Sequence, residues 1–233
     1  MKVGTDSVLL GALATLSATT EEAHVLDIGT GTGILSLMMA QRYEEARIPT
    51  HIDAIEIDPE AARQAASNCE RSRWSHAIQV HPMSLQQFAD QEKEDDCEKR
   101  LYSLIISNPP FYNATLKPEN QERAVARHCD SLPVAEIASY AKAHLTPEGR
   151  LSLVYPTAYD SEVMTATILN GLQPVRIIDI LTKEGKPCKR RVAEFAKQGA
   201  PLSRETLSIL DKEGHYTPEY RLLTEPFYRR LKE

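Results

Sequence analysis

The tetrapeptide Asn108-Pro109-Pro110-Phe111 carries the residue types that could hold a planar amine in place. It follows an apolar, β-branched run at 104–106, which predicts a buried strand that stops at the two prolines. Proline has no N–H for a sheet hydrogen bond and biases the residue before it away from the helical conformation. Asn108 is therefore expected at the carboxyl end of this strand, which is the edge of an open α/β sheet where ligands bind.

Two acceptor atoms at this turn suit an amine that is a poor nucleophile. The exocyclic amine of adenine is one, because its lone pair is delocalised into the ring. If Asn108 Oδ1 and the Pro109 carbonyl accept its two N–H groups, a pyramidal nitrogen is favoured, with its lone pair directed at an electrophile. Phe111 could stack on the ring. The same contacts would suit a glutamine amide, and an ordinary turn with a surface aromatic is the remaining interpretation.

A glycine loop, GTGTG at 29–33, lies between an apolar strand at 23–28 and a segment of helical spacing from Ile34. Glycines let the chain turn sharply and let a ligand approach the backbone closely. Glu56 ends the next predicted strand, where an acid can accept both hydroxyls of a ribose. Asp27 precedes the loop, where it would repel a pyrophosphate but suit a cation such as the sulfonium of S-adenosylmethionine. The alternative is a tight strand-to-helix turn without a ligand.

The elements that must position these residues alternate along the chain as strands and helices. This alternation predicts an α/β, doubly wound, Rossmann-like fold with a seven-stranded sheet. A turn at 184–187 predicts an antiparallel hairpin, so that one strand runs against the others. The expected strands are 23–28, 51–58, 77–80, 102–107, 150–156, 174–182 and 189–197.

Helix signals occupy the segments between these strands. An amino-terminal amphipathic helix capped by Thr5 or Asp6 would bury four apolar side chains, which are Val8, Leu9, Leu13 and Leu16. Asp58 and Ser131 are the expected N-caps of two later helices. The later helices are expected at 34–43, 59–71, 84–91, 132–145 and 157–169, and the tail adds a short strand at 207–210 and a final helical piece.

Composition and charge suit a single globular domain over 1–233, with an amino-terminal helix (1–20), a core (21–200) and a carboxyl-terminal appendage (201–233). The formal net charge is −6, but basic residues are concentrated at 183–197, which leaves a local basic face possible. The four cysteines are far apart, which argues against a zinc site or a disulfide framework and suits a reducing cytosol. No apolar run is long enough to span a membrane. We expect a cytoplasmic monomer without a bound metal.

The motifs LDIGTGTG, EID and NPPF, in this order and spacing, resemble the class I S-adenosylmethionine-dependent methyltransferases that act on adenine N6 or on glutamine amide nitrogen. Three further stretches are similar to the bacterial tRNA(Val) adenine-N6 methyltransferase family: MKVGTDSVLLGA, RAVARH (123–128) and YTPEYRLLTEPFYRRL. The resemblance covers nearly the whole chain. It implies methyl transfer from S-adenosylmethionine to N6 of the adenine at position 37 of tRNA(Val). Relatives usually carry a short aromatic and basic segment before the KVGTD stretch, so we expect either a truncated amino terminus or a start codon assigned late.

The resemblance also implies roles for particular residues. Asn108, Pro109 and Phe111 would hold the target base. Relatives often carry an acid where this chain has Ser84, and Asp6 would lie beside the cofactor pocket. The implied cofactor-binding residues are Thr5, Asp27, Gly29, Gly31, Gly33, Glu56, Ile57, Ser84 and Asn108. The expected RNA contacts are Arg123, Arg127, His128, Lys189, Arg190 and Arg191, of which alternating hairpin residues would face opposite sides.

Two other functions are compatible with the chemistry of the motifs. A protein-glutamine N5 methyltransferase acting on release factors would use the same Asn-Pro-Pro contacts, but such enzymes usually carry a separate helical amino-terminal domain. A non-catalytic module that binds S-adenosylmethionine is the second. The presence of Asp27, Glu56 and Asn108 together argues against this loss of activity.

Overall fold

A computed structural model describes residues 4–17, 22–94, 100–111 and 133–228, with the main chain alone at 92–94. Its strands form one sheet in the order β3-β2-β1-β4-β5-β7-β6-β8. These strands are β1 (Ala23–Ile28), β2 (Thr50–Ile55), β3 (Ile78–His81), β4 (Tyr102–Ser107), β5 (Leu145–Pro156), β6 (Gln173–Leu181), β7 (Arg190–Ala196) and β8 (Ser203–Ser208).

Helices cover both faces of this sheet. They are α1 (Thr5–Leu13), α2 (Ile34–Glu45), α3 (Pro59–Glu70), α4 (Leu85–Glu94), α5 (Val134–His144), α6 (Asp160–Leu169) and α7 (Pro218–Thr224), with short 3-10 turns at Thr157–Tyr159 and Glu225–Phe227. One apolar cluster unites the sheet with α1, α2, α3 and α7, and a second unites it with α4, α5 and α6. Alternation lets β4 supply both clusters, since Leu104 and Ile106 belong to the first and Ile105 to the second. Tyr102 also belongs to the second cluster, and the register of β4 shifts between Tyr102 and Leu104. The predicted doubly wound α/β fold is confirmed.

The sheet has one antiparallel strand, as predicted, but eight strands in the described residues rather than seven. β7 runs antiparallel to both of its neighbours, β5 and β6. The additional strand is β8, which pairs in parallel with β6 at the edge of the sheet. The prediction placed a short strand at 207–210 instead, because the first four side chains of β8 are exposed and provide no apolar alternation.

The predicted caps differ from the observed ones at two helices. The N-cap of α1 is Gly4, without a side-chain hydrogen bond, so the prediction of Thr5 or Asp6 as the cap is wrong. Asp58 caps α3 as predicted, since its carboxylate accepts from the main-chain N–H groups of Glu60 and Ala61. Ser131 lies outside the described residues, and the N-cap of α5 is Pro133.

Two further findings concern membranes and the amino-terminal helix. None of the helices within the described ranges combines the length and the apolar character needed to cross a bilayer. Val8 and Leu9 of α1 are buried as predicted, while Leu13 and Leu16 are partly buried against the same apolar cluster. Arg42 of α2 donates to the carbonyl groups of Gly11 and Ala14, which fastens the carboxyl end of α1 to the domain.

Candidate active site

The carboxyl ends of β1, β2 and β4 are aligned, which brings the predicted site residues to one edge of the sheet. Ile28 pairs with Ile55 of β2 on one side and with Ser107 of β4 on the other. The glycine loop, Glu56 and Asn108 each follow directly on one of these three residues. The register of the parallel strands therefore places a possible donor site and a possible acceptor site side by side.

The glycine loop turns through left-handed backbone conformations that favour glycine. Gly29, Gly31 and Gly33 have φ angles of 72°, 60° and 83°. A Cβ atom added at Gly29 would meet no described atom within 4 Å, so the space next to it is open to a ligand. A Cβ at Gly33 would lie 3.2 Å from Cys69 Sγ, so this glycine serves the close packing of the loop against α3.

Asp27 lies beneath the loop and is fully buried. Its Oδ2 accepts hydrogen bonds from Thr30 Oγ1 (2.6 Å) and from both the hydroxyl (2.7 Å) and the main-chain N–H (3.1 Å) of Ser36. Its Oδ1 is buried without a hydrogen-bond partner among the described residues. Burial raises the pKa of Asp27 to about 6, although the hydrogen bonds from Thr30 and Ser36 oppose the shift. Oδ2 of Asp27 therefore holds the loop in place, and Oδ1 is suited to a nearby cationic group.

Glu56 joins the glycine loop to the start of α3. Its Oε2 accepts from the main-chain N–H of Gly31 at 2.8 Å, and its Oε1 accepts from that of Asp58 at 2.9 Å. A carboxylate has about four acceptor positions, so two remain for the hydroxyl groups of a ribose. The adjacent Ile57 is 57% exposed, which is unusual for an isoleucine and fits a flat base packed against it.

Ser84 has a structural role that the sequence analysis did not predict. Its main-chain N–H donates to Gln87 Oε1 at 2.9 Å, and its hydroxyl accepts from the main-chain N–H of Gln87 at 3.2 Å. This reciprocal pair is a capping box that starts α4. The predicted contact of Ser84 with the cofactor stays a prediction.

Asn108 is held by the amino-terminal helix. Its Nδ2 donates to Ser7 Oγ at 3.0 Å, across 101 positions of sequence. The preceding Ser107 donates its hydroxyl to the carbonyl of Ile28 at 2.7 Å, which fixes the end of β4 against β1. No described residue donates a hydrogen bond to the side-chain oxygen of Asn108, so that oxygen is available as an acceptor. Thr5 is exposed in the first turn of the same helix.

The sequence analysis missed an aromatic cluster around Phe111. The ring centroid of Phe111 lies 4.9 Å from that of Tyr159 and 6.3 Å from that of Tyr155, in tilted arrangements. Tyr155 is the penultimate residue of β5, which pairs with β4, and Tyr159 lies in the 3-10 turn that follows β5. The segment Tyr155-Pro156-Thr157-Ala158-Tyr159, directly after an apolar run, was the available sequence signal.

The predicted RNA contacts divide into three groups. Arg123, Arg127 and His128 lie outside the described residues. Lys189 is exposed. Arg190 donates from Nε to Asp6 Oδ2 at 2.9 Å, so it is already paired on the α1 side of the sheet.

Arg191 is held by two carboxylates. Its Nε donates to Asp179 at 2.7 Å, its Nη1 lies 2.5 Å from Asp160, and its side chain is only 15% exposed. Two carboxylates engage this guanidinium on the opposite face from Arg190. Arg191 is therefore an internal ion-pair residue, and its contact with RNA stays a prediction.

Metal chemistry has no visible basis in the described residues. Within them, no three His, Cys, Asp or Glu side chains are grouped in a way that could hold a metal ion.

Comparisons with solved structures identify the fold. A predicted O-methyltransferase from Agrobacterium tumefaciens superposes with a TM-score of 0.71 at 19% identity, covering 95% of this chain and 96% of that one. A protein assigned to the class I S-adenosylmethionine-dependent methyltransferases of Listeria monocytogenes superposes with a TM-score of 0.56 at 15% identity, covering 95% of this chain and 66% of that one. The fold is therefore that of the class I methyltransferases.

Comparisons of sequence identify the family. The family model described as methyltransferase small domain matches residues 3–177. The tRNA1(Val) (adenine(37)-N6)-methyltransferase of Trichodesmium erythraeum is 40% identical over 228 residues, covering 98% of this chain and 91% of the relative. The protein of the same name from Porphyromonas gingivalis W83 is 36% identical over 233 residues, covering 98% and 89%. The chain thus belongs to the methyltransferase small domain family and, within it, to the family of the tRNA1(Val) (adenine(37)-N6)-methyltransferases.

Proposed function

We propose that this chain transfers a methyl group from S-adenosylmethionine to N6 of adenine 37 in tRNA1(Val). The names of its relatives support the substrate. One observation carries the chemistry. The Nδ2 group of Asn108 donates a hydrogen bond to Ser7 Oγ, which leaves Oδ1 as an acceptor beside the glycine loop. An acceptor in this position suits an amine that must release its lone pair from a ring.

The residues around the glycine loop fit S-adenosylmethionine. Gly29 leaves room next to the backbone, Glu56 has two acceptor positions for the ribose, and Ile57 offers an apolar surface to the adenine. Asp27, buried with one oxygen unpaired, favours the positive charge of the methionine part. When bound, S-adenosylmethionine supplies a methyl group on a positively charged sulfur.

On the acceptor side, the chain positions the amine, and the amine nitrogen loses a proton only after the methyl group has been transferred. Asn108 Oδ1 and the Pro109 carbonyl accept the two N–H groups, and Phe111 faces the ring within its aromatic cluster. The amine lone pair forms the new N–C bond while the S–C bond breaks, with its electron pair remaining on sulfur. The nitrogen then carries a positive charge and loses a proton to solvent, so no strong base is needed beforehand.

The test is direct. Radiolabelled S-adenosylmethionine is offered to the chain with unmodified tRNA1(Val), with the same tRNA carrying guanine at position 37, with DNA, and with a release factor. We expect label only in the first tRNA, as N6-methyladenosine after digestion to nucleosides. Label in the release factor would favour the glutamine alternative, and label that survives the change at position 37 would contradict the assigned base.

We also propose that the chain acts as a single-domain monomer in the cytoplasm. The described part of the tail supports one domain, since β8 extends the sheet and α7 packs on the same cluster as α1. Light scattering coupled to gel filtration should give a mass close to 26.1 kDa. A dimer mass would contradict this assignment.

A further inference from the structure

We propose that Ser7 is a positioning residue for methyl transfer, because its hydroxyl holds the amide of Asn108 with the oxygen directed to the acceptor. This inference rests on the proposed function. The contact is a side-chain hydrogen bond of 3.0 Å between two partly buried groups. Ser7 lies in the stretch MKVGTDSVLLGA, where the resemblance implied roles for Thr5 and Asp6 but none for Ser7.

The two ends of an asparagine side chain have nearly the same shape and opposite hydrogen-bonding capacity. One end has two N–H donors and the other has an acceptor oxygen. A serine hydroxyl can bind either end, so Ser7 supports the productive orientation by accepting from Nδ2 when the oxygen faces the acceptor site. In the structure, Ser7 Oγ accepts from Nδ2, and the oxygen is the end that remains.

The direction of the amide decides whether the site can work. An exocyclic amine approaches with two N–H groups, and these need acceptors. A turned amide would present N–H groups to the N–H groups of the substrate, so two donors would face each other without an acceptor. The mismatch grows during transfer, because the nitrogen becomes positively charged. The arrangement that Ser7 holds therefore favours the transition state more than the bound substrate.

The helix that carries Ser7 is well fixed for this task. Asp6, the preceding residue, pairs with Arg190 Nε at 2.9 Å. The following residues Val8 and Leu9 are buried in the apolar cluster beneath the sheet. Near the other end of the helix, Arg42 donates to the Gly11 carbonyl at 2.8 Å. Ser7 thus lies on a support that is attached to the strands of the site and does not depend on Asn108 for its position.

The experiment compares Ser7→Ala with Ser7→Thr and with a matched serine change. Ser103 lies near the other end of β4 and donates its hydroxyl to the His24 carbonyl, so Ser103→Ala removes a similar hydrogen bond away from the site. We expect Ser7→Ala to lower kcat on tRNA1(Val) about 10- to 100-fold, because a turned amide would remove the hydrogen bond from the positively charged amine to Asn108 Oδ1. Ser7→Thr, which keeps the hydroxyl, should recover most of this loss, and Ser103→Ala should leave kcat unchanged.

Two further readouts separate positioning from a structural role. The dissociation constant of S-adenosylmethionine, measured by calorimetry, should change by less than about threefold in Ser7→Ala. In an Asn108→Asp background, both ends of the side chain are acceptors, so Ser7→Ala should there change the rate by less than about threefold.

Several outcomes would overturn the proposal. Wild-type kcat in Ser7→Ala would do so, as would a loss of cofactor affinity equal to the loss of kcat, or a loss of the same size in the Asn108→Asp background. These results are distinguishable from a failure of the proposed function, in which the wild-type chain itself would place no methyl group on adenine 37.

Discussion

At the scale of single residues, two buried aspartates illustrate how a site differs from a structural cluster. Both oxygens of Asp53 are engaged, Oδ1 by His81 at 2.7 Å and Oδ2 by Arg100 at 2.8 Å. Although burial would raise the pKa of Asp53, hydrogen bonds from His51 and His81 and the charge of Arg100 hold it well below its usual range. Asp27 has a raised pKa and one oxygen without a hydrogen-bond partner in the described part of the chain, so of the two it is the carboxylate with unused capacity for a cation.

The pKa of Asp27 leads to a prediction about the pH dependence of cofactor binding. Its value of about 6 in the unliganded protein means that the carboxyl group is largely protonated below that pH and ionised above it. A cationic ligand favours the ionised form, so the affinity for S-adenosylmethionine should increase as the pH rises through about 6. Calorimetry from about pH 5 to about pH 8 would measure the effect. Asp27→Asn should remove this dependence, and an unchanged pH profile in that variant would refute the assignment.

The acceptor role of Asn108 leads to a second prediction. Asn108→Ala should lower kcat about 100-fold or more, because the amine loses an acceptor in the transition state. The affinity for S-adenosylmethionine should remain within about threefold of wild type, since the other implied cofactor-binding residues are untouched. Single-turnover transfer and calorimetry would measure the two quantities. An equal loss in both would remove the assigned role.

At the scale of elements, the glycine loop both packs against α3 and leaves space for the cofactor, and substitutions at different glycines should separate these two functions. Gly33→Ala should lower the free energy of unfolding by about 1–3 kcal/mol, because its φ is 83° and the new Cβ would crowd Cys69. Gly29→Ala meets open space and should cost only the strain of its backbone, about 1 kcal/mol. It should weaken S-adenosylmethionine binding about tenfold, because the methyl group occupies the space left for the ligand. Chemical denaturation and calorimetry would test the pair, and equal effects on both quantities would contradict the separation.

Alternation along β7 places the side chains of its two neighbouring arginines on opposite faces of the sheet, where they bind different carboxylates. Arg191→Ala should lower the free energy of unfolding by about 1–3 kcal/mol, because it leaves Asp160 and Asp179 without their cation. Arg190→Ala breaks a single ion pair, to Asp6, which is more exposed. It should lower the free energy of unfolding by only about 0–1 kcal/mol. Urea unfolding would measure both. A larger loss for Arg190→Ala would show that the α1 side carries the stronger interaction.

At the scale of the whole molecule, tRNA binding must overcome a formal net charge of −6. Binding should therefore depend on local basic residues at the site edge and fall with salt. Lys189→Ala should weaken tRNA binding and reduce the slope of log K against log salt by about one. Arg204, exposed at the start of β8 on the opposite edge of the sheet, is the matched control. Equal effects of the two substitutions on filter binding would exclude a docking face at the hairpin.

The sequence by itself determined seven of the eight described strands, all but β8, and the chemistry that is local to them. An apolar run followed by two prolines, a glycine loop after a strand, and an acid followed by Asp58 and Pro59 each act within a few residues, so β1, β4 and the cap of α3 were predicted correctly. Predictions of this kind depend on backbone sterics and alternation, which are readable from neighbouring positions.

Only the tertiary structure decided which atoms of those residues remain available. Asn108 meets Ser7 across 101 positions, and Arg191 meets Asp160 from another element. Neither contact has a local signature, because it arises from the register of strands and the packing of α1 and α6 on the sheet. Each polar side chain has a small number of donor and acceptor positions. The fold decides which of them bind other protein groups and which remain available to a ligand.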